Sequence, residues 1–198
     1  MRIRPMLCTA ALLSLSIALP AFAQTQTRRP ERVPEPVPAP GMIAVGISTG
    51  FALPTEPALD NGMGLAVNVE RYMTSRLSAR GQLSGAWTNV FGPVNSTVSP
   101  MVVSGNLVYN WEGGKVHPFV SGGLGFYHYR FNEASIFSTS NKLGLQIGGG
   151  TEFFLTRQDA VSGELVAHVV PGQVVGTFSS YDPTFWSIGV GYKKYFGR

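Results

Sequence analysis

From Gly41 onward the chain alternates apolar with small or polar residues at a period of two, the repeat of a strand whose two faces meet different surroundings. Clusters of Gly, Pro, Asn, Asp and Ser divide this region into eight predicted strands, at 41–51, 62–72, 76–88, 98–110, 115–130, 141–155, 160–170 and 183–196. The connections alternate in length. Those at 52–61, 89–97, 131–140 and 171–182 are long, whereas those at 73–75, 111–114 and 156–159 are tight. Long connections on one rim and short ones on the other predict an all-β fold, an eight-stranded antiparallel up-and-down transmembrane β-barrel over 41–198.

One parity of each segment is apolar, as in Ile43, Val45 and Ile47, in Leu65, Val67 and Val69, in Leu143, Leu145 and Ile147, and in Trp186, Ile188 and Val190. Charges on this parity stand only near strand ends, at Arg71, Arg130 and Lys194, where a long side chain reaches the headgroup level. The other parity holds small or polar groups, among them Ser48, Asn68, Gln82, Ser121, Gly123, Gln146, His168 and Gly189. It also holds Glu70, Glu152 and Glu164 against Arg80, Lys142 and Lys193, a predicted interior charge network.

A soluble periplasmic ligand-binding barrel also alternates, but its water-facing side calls for Lys, Glu and Thr instead of Gly and Ser. The apolar parity is therefore read as facing lipid. Strands can cross hydrocarbon only when the sheet closes, because each unpaired backbone N–H or C=O there costs several kcal/mol. Aromatics near strand ends, at Phe51, Trp87, Tyr109, Phe126, Tyr129, Phe153, Trp186, Tyr192 and Phe196, are candidates for interfacial girdles. Eight strands enclose a space just wide enough for side chains, so the interior charges read as a plug, with a narrow porin-like channel as the alternative.

The segment before the barrel has a different character. Residues 1–23 carry Arg2 and Arg4, an apolar stretch from Met6 to Leu19 and an Ala-Phe-Ala site, the pattern of a cleaved secretory signal peptide. The apolar stretch is too short for a membrane-spanning helix. Residues 24–40 follow with prolines at 30, 34, 36, 38 and 40, a composition that favours an extended periplasmic linker.

Composition narrows the chemistry. Charged residues make up only 13% of the chain and hydrophobic ones 44%, which argues against an ordinary cytosolic surface and against disorder. From Gly41 on there are 10 basic and 9 acidic residues, so the basic balance of the whole chain belongs to its front and is no signal for nucleic acid. Cys8 lies in the leader and leaves the remainder without disulfide, thiol nucleophile or cysteine metal site. His117, His128 and His168 lack the spacing of a zinc site, and the glycine runs at 122–125 and 148–150 sit inside strands, not at the start of a helix. Those runs instead suit strand curvature and aromatic rings laid across the backbone. Neither metal nor cofactor is expected.

The segments PFVSGGLGFY at 118–127 and GLQIGGGTEF at 144–153 resemble the small eight-stranded outer-membrane β-barrel family, the OmpA/OmpX-like and opacity-protein-like group. The resemblance extends over about 41–196. It implies an integral outer-membrane protein, surrounded by outer-membrane lipid and inserted by the barrel-assembly machinery through a last strand ending in an aromatic. Residues 189–196 resemble that signal, with Lys194 where an aromatic is expected and Gly197 and Arg198 after it. Some members act on lipid A through a Ser activated by His; no His-x-Ser element occurs in this chain, so no enzymatic activity is expected. The expected role is a monomeric, structural or surface-interacting (adhesin-like) barrel. Phe91, Phe137, Phe178 and Tyr181 in the long connections are the candidate contact residues.

Overall fold

A computed structural model describes residues 38–90, 96–111, 114–133, 136–175 and 180–197. The predicted signal peptide, most of the proline-rich segment, Phe91 and Phe178 lie outside the described residues, as does the side chain of Tyr181.

Eight strands form the wall: β1 (Ile43–Pro54), β2 (Gly62–Tyr72), β3 (Leu77–Val90), β4 (Ser96–Asn110), β5 (Val116–Glu133), β6 (Ile136–Phe154), β7 (Asp159–Val169) and β10 (Phe185–Phe196). Between β7 and β10, the two-residue strands β8 (Val174–Val175) and β9 (Ser180–Tyr181) pair with each other. The wall closes in the order β1-β10-β7-β6-β5-β4-β3-β2, with every neighbouring pair antiparallel.

The register fixes the strand tilt. Starting at Ala44 and stepping through Glu70, Arg80, Asn106, Gly123, Gln146, His168 and Phe185, the ladder returns to β1 at Pro54, ten residues further on. With strand spacing near 4.8 Å and a rise near 3.3 Å per residue, that stagger on eight strands tilts them roughly 40° from the barrel axis. This lies within the range of outer-membrane barrels.

The alternation sorts the side chains as its period requires. Leu65, Leu145, Ile147 and Val190 are exposed on the outer face, while Glu70, Arg80, Glu152 and Lys193 are buried at the axis. Two of the turns on the tight rim share one design. In β2–β3, Thr74 Oγ1 accepts from the N–H of Arg76 (3.2 Å) and of Leu77 (2.9 Å). In β6–β7, Thr156 Oγ1 accepts from the Gln158 N–H (3.1 Å), and its backbone N–H donates to the Asp159 carbonyl (3.2 Å). A hydroxyl side chain satisfies turn amides in both.

The opposite rim departs from expectation. Residues 131–140, read as a loop, are almost wholly strand: β5 continues to Glu133 and β6 begins at Ile136, so Phe137 lies in a strand. The Ser and Thr residues of that stretch resemble a turn cluster, yet Phe131 packs into the core and holds the strand in line, with Arg130 paired to Thr139. Likewise β3 and β4 extend to Val90 and from Ser96, narrowing the expected loop at 89–97. The expected loop at 171–182 contains β8 and β9.

Candidate functional site

The barrel interior is layered. At the tight-turn end, Met42, Ala44, Tyr72, Phe154, Ala160 and Tyr195 form one apolar cluster. At the long-connection end a second cluster includes Tyr127, Tyr129, Phe131, Val170, Val174 and Phe185. The sequence pattern predicts small or polar groups on the inward parity; near both strand ends it is aromatic instead. Tyr129, read as a girdle residue, is only 3% exposed and donates from its hydroxyl to the Pro183 carbonyl (2.9 Å). Its parity is that of Tyr127 and Ser121, and this places it inside.

Between the clusters sit five of the six predicted network residues. Glu70 Oε2 accepts from Arg80 Nε at 3.0 Å and from Lys193 Nζ at 2.7 Å, and Ser78 Oγ donates to its other oxygen. Lys193 also donates to Glu152, which accepts from the Tyr195 hydroxyl as well. Arg80 Nη1 reaches Glu164 Oε1 at 2.9 Å. The Phe119 ring lies beneath both cations, 5.2 Å from Arg80 Cζ and 5.7 Å from Lys193 Nζ. Charged hydrogen bonds thus compensate the burial of four side chains that are almost fully removed from solvent.

Lys142 does not join this network. It shares the inward parity but stands ten residues above Glu152 on β6, over 30 Å along the strand at about 3.3 Å per residue. Among the described residues it makes no ion pair. The network therefore holds three carboxylates and two cations. Glu164 is the least enclosed of the five, with 26% of its side chain exposed.

Glu164 borders a cavity of about 90 Å³ above the network. Gly64, Gly50 and Gly189, neighbours on β2, β1 and β10 in the row that ends at Glu164, line it without side chains. Among the described residues Asn68 Oδ1 and Arg80 Nη2 have no protein partner, and Asn68 lines the cavity. The space is large enough to admit ordered water, the usual partner of such groups.

His168 closes the upper side. Its Nδ1 is 3.0 Å from the Tyr127 hydroxyl, its Nε2 3.0 Å from Ser187 Oγ, and its ring stacks on Phe185 at 4.1 Å. Aromatic packing confines the imidazole on the faces that hydrogen bonds leave free. Tyr127 in turn lies across two glycines, since a Cβ on Gly125 or Gly144 would come within 2.8 or 2.9 Å of its Cε2. The other histidines sit elsewhere: His117 Nε2 is 2.9 Å from the Gly114 carbonyl at the tight rim, and His128 Nδ1 is 2.7 Å from Asn141 Oδ1 on the outer face.

Sequence reasoning missed the paired aromatic layers. The signal was present in the inward parity itself, which runs Asn68, Glu70, Tyr72 on β2 and Lys193, Tyr195 on β10. On the outer rim, Phe137 is 77% exposed.

No protein-family model matches the sequence, and no curated protein matches it either. Solved structures do match. The outer membrane protein OprG from Pseudomonas aeruginosa aligns with a TM-score of 0.66 at 12% identity, over 81% of this chain and 98% of its own. Neisserial surface protein A (NspA) aligns at 0.61 and 10% identity, over 79% and 99%. Ail, the attachment invasion locus protein of Yersinia pestis, aligns at 0.52 and 12% identity, over 78% and 99%. The fold is that of the small eight-stranded outer-membrane β-barrels.

Proposed function

We propose that this chain is an integral outer-membrane barrel, closed to permeation and without enzymatic activity, whose body is a wall element and whose long-connection rim makes contacts outside the cell. The observation that carries this reading is an outer face opposite in character to that of an ordinary soluble protein: leucines, valines and isoleucines cover the outside while Glu70, Arg80, Glu152 and Lys193 are buried at the axis. Such a surface is stable in hydrocarbon, where closure leaves no backbone edge inside the membrane. It argues equally against a soluble periplasmic barrel, which would expose this belt to water.

The closed state follows from the filling. An ion moving along the axis meets the cluster around Tyr127 and Phe185, then the Arg80 and Lys193 network, then the cluster around Tyr72 and Tyr195. A surface-contact role is supported by the exposed Phe137 on the protruding β5–β6 hairpin. The similarly folded Ail is named for attachment and has been crystallised with the heparin analogue sucrose octasulfate. Export by the leader and insertion by the barrel-assembly machinery, with β10 as the recognised strand, complete the proposal.

Cell fractionation with heated and unheated gels tests the location. The protein is expected in the outer-membrane fraction, migrating faster before boiling, and release in a detergent-free periplasmic extract would overturn the reading. In planar bilayers no reproducible current steps are expected; regular steps would overturn closure.

A further inference from the structure

The charged side chains at the axis form a line with a carboxylate at each end, running Glu164, Arg80, Glu70, Lys193, Glu152. Each cation is shared by two carboxylates, so three negative charges meet two positive ones. The two ends of the line are finished differently. Glu152 is closed off by the Tyr195 hydroxyl, which belongs to the apolar cluster at the tight-turn end. Glu164 uses Oε1 to accept from Arg80 and, at 3.5 Å, from Ser121; among the described residues its Oε2 has no partner.

That free end borders the cavity of about 90 Å³, and a second acceptor stands there without a donor. Asn68 on β2 lines the same cavity, is only 9% exposed, and among the described residues its Oδ1 makes no hydrogen bond. Its side chain lies across Gly46, where a Cβ would come within 2.8 Å of Oδ1. Ser48 and Ser162 bring two hydroxyls to the cavity beside Gly191, where a Cβ would come within 3.0 Å of Ser162 Oγ. Glycines at these two positions keep the space open in front of the oxygens.

Water alone would satisfy Asn68 Oδ1 and Arg80 Nη2, but it would not supply the missing charge. A buried carboxylate without its own counter-charge is strongly unfavourable. Lys193 also lines the cavity, yet its ammonium is already divided between Glu70 and Glu152. His168 contacts Tyr127, Gln146, Ser187 and Phe185, none of them acidic. Lys142 stands far toward the mouth, ten residues along β6 from Glu152. The deficit is one positive charge, and the groups around it are oxygens, the donors that hard metal cations take.

We propose that the cavity beside Glu164 binds one monovalent alkali-metal ion, sodium or potassium, among the oxygens of Glu164, Asn68, Ser48 and Ser162, with water completing its shell. A divalent ion would overshoot the balance, and among the described residues no group of three or more His, Cys, Asp or Glu side chains could hold one. The ion lies between the two apolar clusters, so it is enclosed when the barrel folds and is not passed along the axis. It therefore belongs to the plug. The site depends on the interior of the barrel alone, not on where the barrel resides.

The full chain is refolded in zwitterionic detergent micelles in choline, sodium or potassium acetate at equal ionic strength, and urea unfolding is followed by the gel-mobility shift. Choline screens exposed charges as well as the alkali ions do but is too large for the cavity. Sodium or potassium is expected to lower the unfolding equilibrium constant roughly fivefold relative to choline, as for an ion at about four times its dissociation constant. Glu164→Gln, which removes the charge and keeps the shape, is expected to abolish that difference. If this variant fails to fold, crystals of the unaltered protein grown in thallous acetate decide, with an anomalous peak expected between Glu164 and Asn68.

Equal unfolding constants in all three salts would overturn the proposal. So would a cation difference that persists in Glu164→Gln, since the ion would then sit elsewhere. A stability that follows pH and ignores the cation would show that a proton carries the missing charge, which also overturns it. Thallous peaks confined to the outer surface, an adventitious ion only, would do the same.

Discussion

Arg80 and Glu164 lie 84 residues apart in sequence, on strands β3 and β7 that face each other across the closed ring, and meet at the axis with Nη1 2.9 Å from Oε1. Because Arg80 also binds Glu70, one guanidinium ties opposite walls to a third strand. Its planar fork suits this divided task, which a lysine ammonium serves less well.

Arg80→Ala is therefore expected to destabilise the folded barrel by about 3–5 kcal/mol, since it leaves three carboxylates around the single Lys193 ammonium, with Glu70 keeping only Lys193 and Ser78 as donors. Urea unfolding in lipid vesicles, followed by the shift between unheated and heated gel mobility, measures this directly. An unchanged midpoint would mean that the charges are hydrated and that the interior is not the packed plug described above.

Glu164→Gln should cost far less, about 1 kcal/mol, because the side chain borders the cavity and Arg80 keeps its bond to Glu70. The same unfolding assay is expected to rank this variant well above Arg80→Ala in stability. The reverse order would locate the main anchor of Arg80 at Glu164.

Gly125→Ala is expected to destabilise by ~1–3 kcal/mol, because the new methyl meets Tyr127 Cε2 at 2.8 Å and Cζ at 3.2 Å. Combined with Tyr127→Ala, which removes the ring, its cost should largely vanish. A double-mutant cycle reads this coupling, and strict additivity would contradict the contact.

Ile147→Arg places a charge near the middle of the outward belt of β6, between Leu143 and Phe153. In a bilayer this is expected to cost about 2–4 kcal/mol, and markedly less for the same change at Thr139 beyond the belt. Equal costs in vesicles would contradict the lipid-facing assignment.

The wall was legible because a period of two carries its own face assignment. Once Leu65 and Val67 are placed outward, Asn68 and Glu70 must point inward, and the same holds on all eight strands. What parity alone does not convey is height along the axis. Lys142 and Glu152 share a face of β6, yet only register with neighbouring strands shows that one is near the mouth and the other near the opposite end. The protruding hairpin was hidden for a related reason: Ser138, Thr139, Ser140 and Asn141 look like a turn locally, while their strand conformation is imposed by pairing with β5. The triple contact of Tyr127, His168 and Ser187 joins three strands distant in sequence, so no local spacing announces it.

In the proposed placement the apolar parity faces lipid and the charged parity faces the axis. The chain has no cysteine from Gly41 onward, so single cysteines at Leu65, Leu145, Val190 and Ser84 each give one nitroxide site in the vesicle-embedded barrel. Power-saturation spectroscopy should find the first three accessible to oxygen and shielded from a water-soluble nickel relaxant, with Ser84 accessible to neither. Strong nickel relaxation at Leu65, Leu145 and Val190 would show that the belt is wet and would contradict the account.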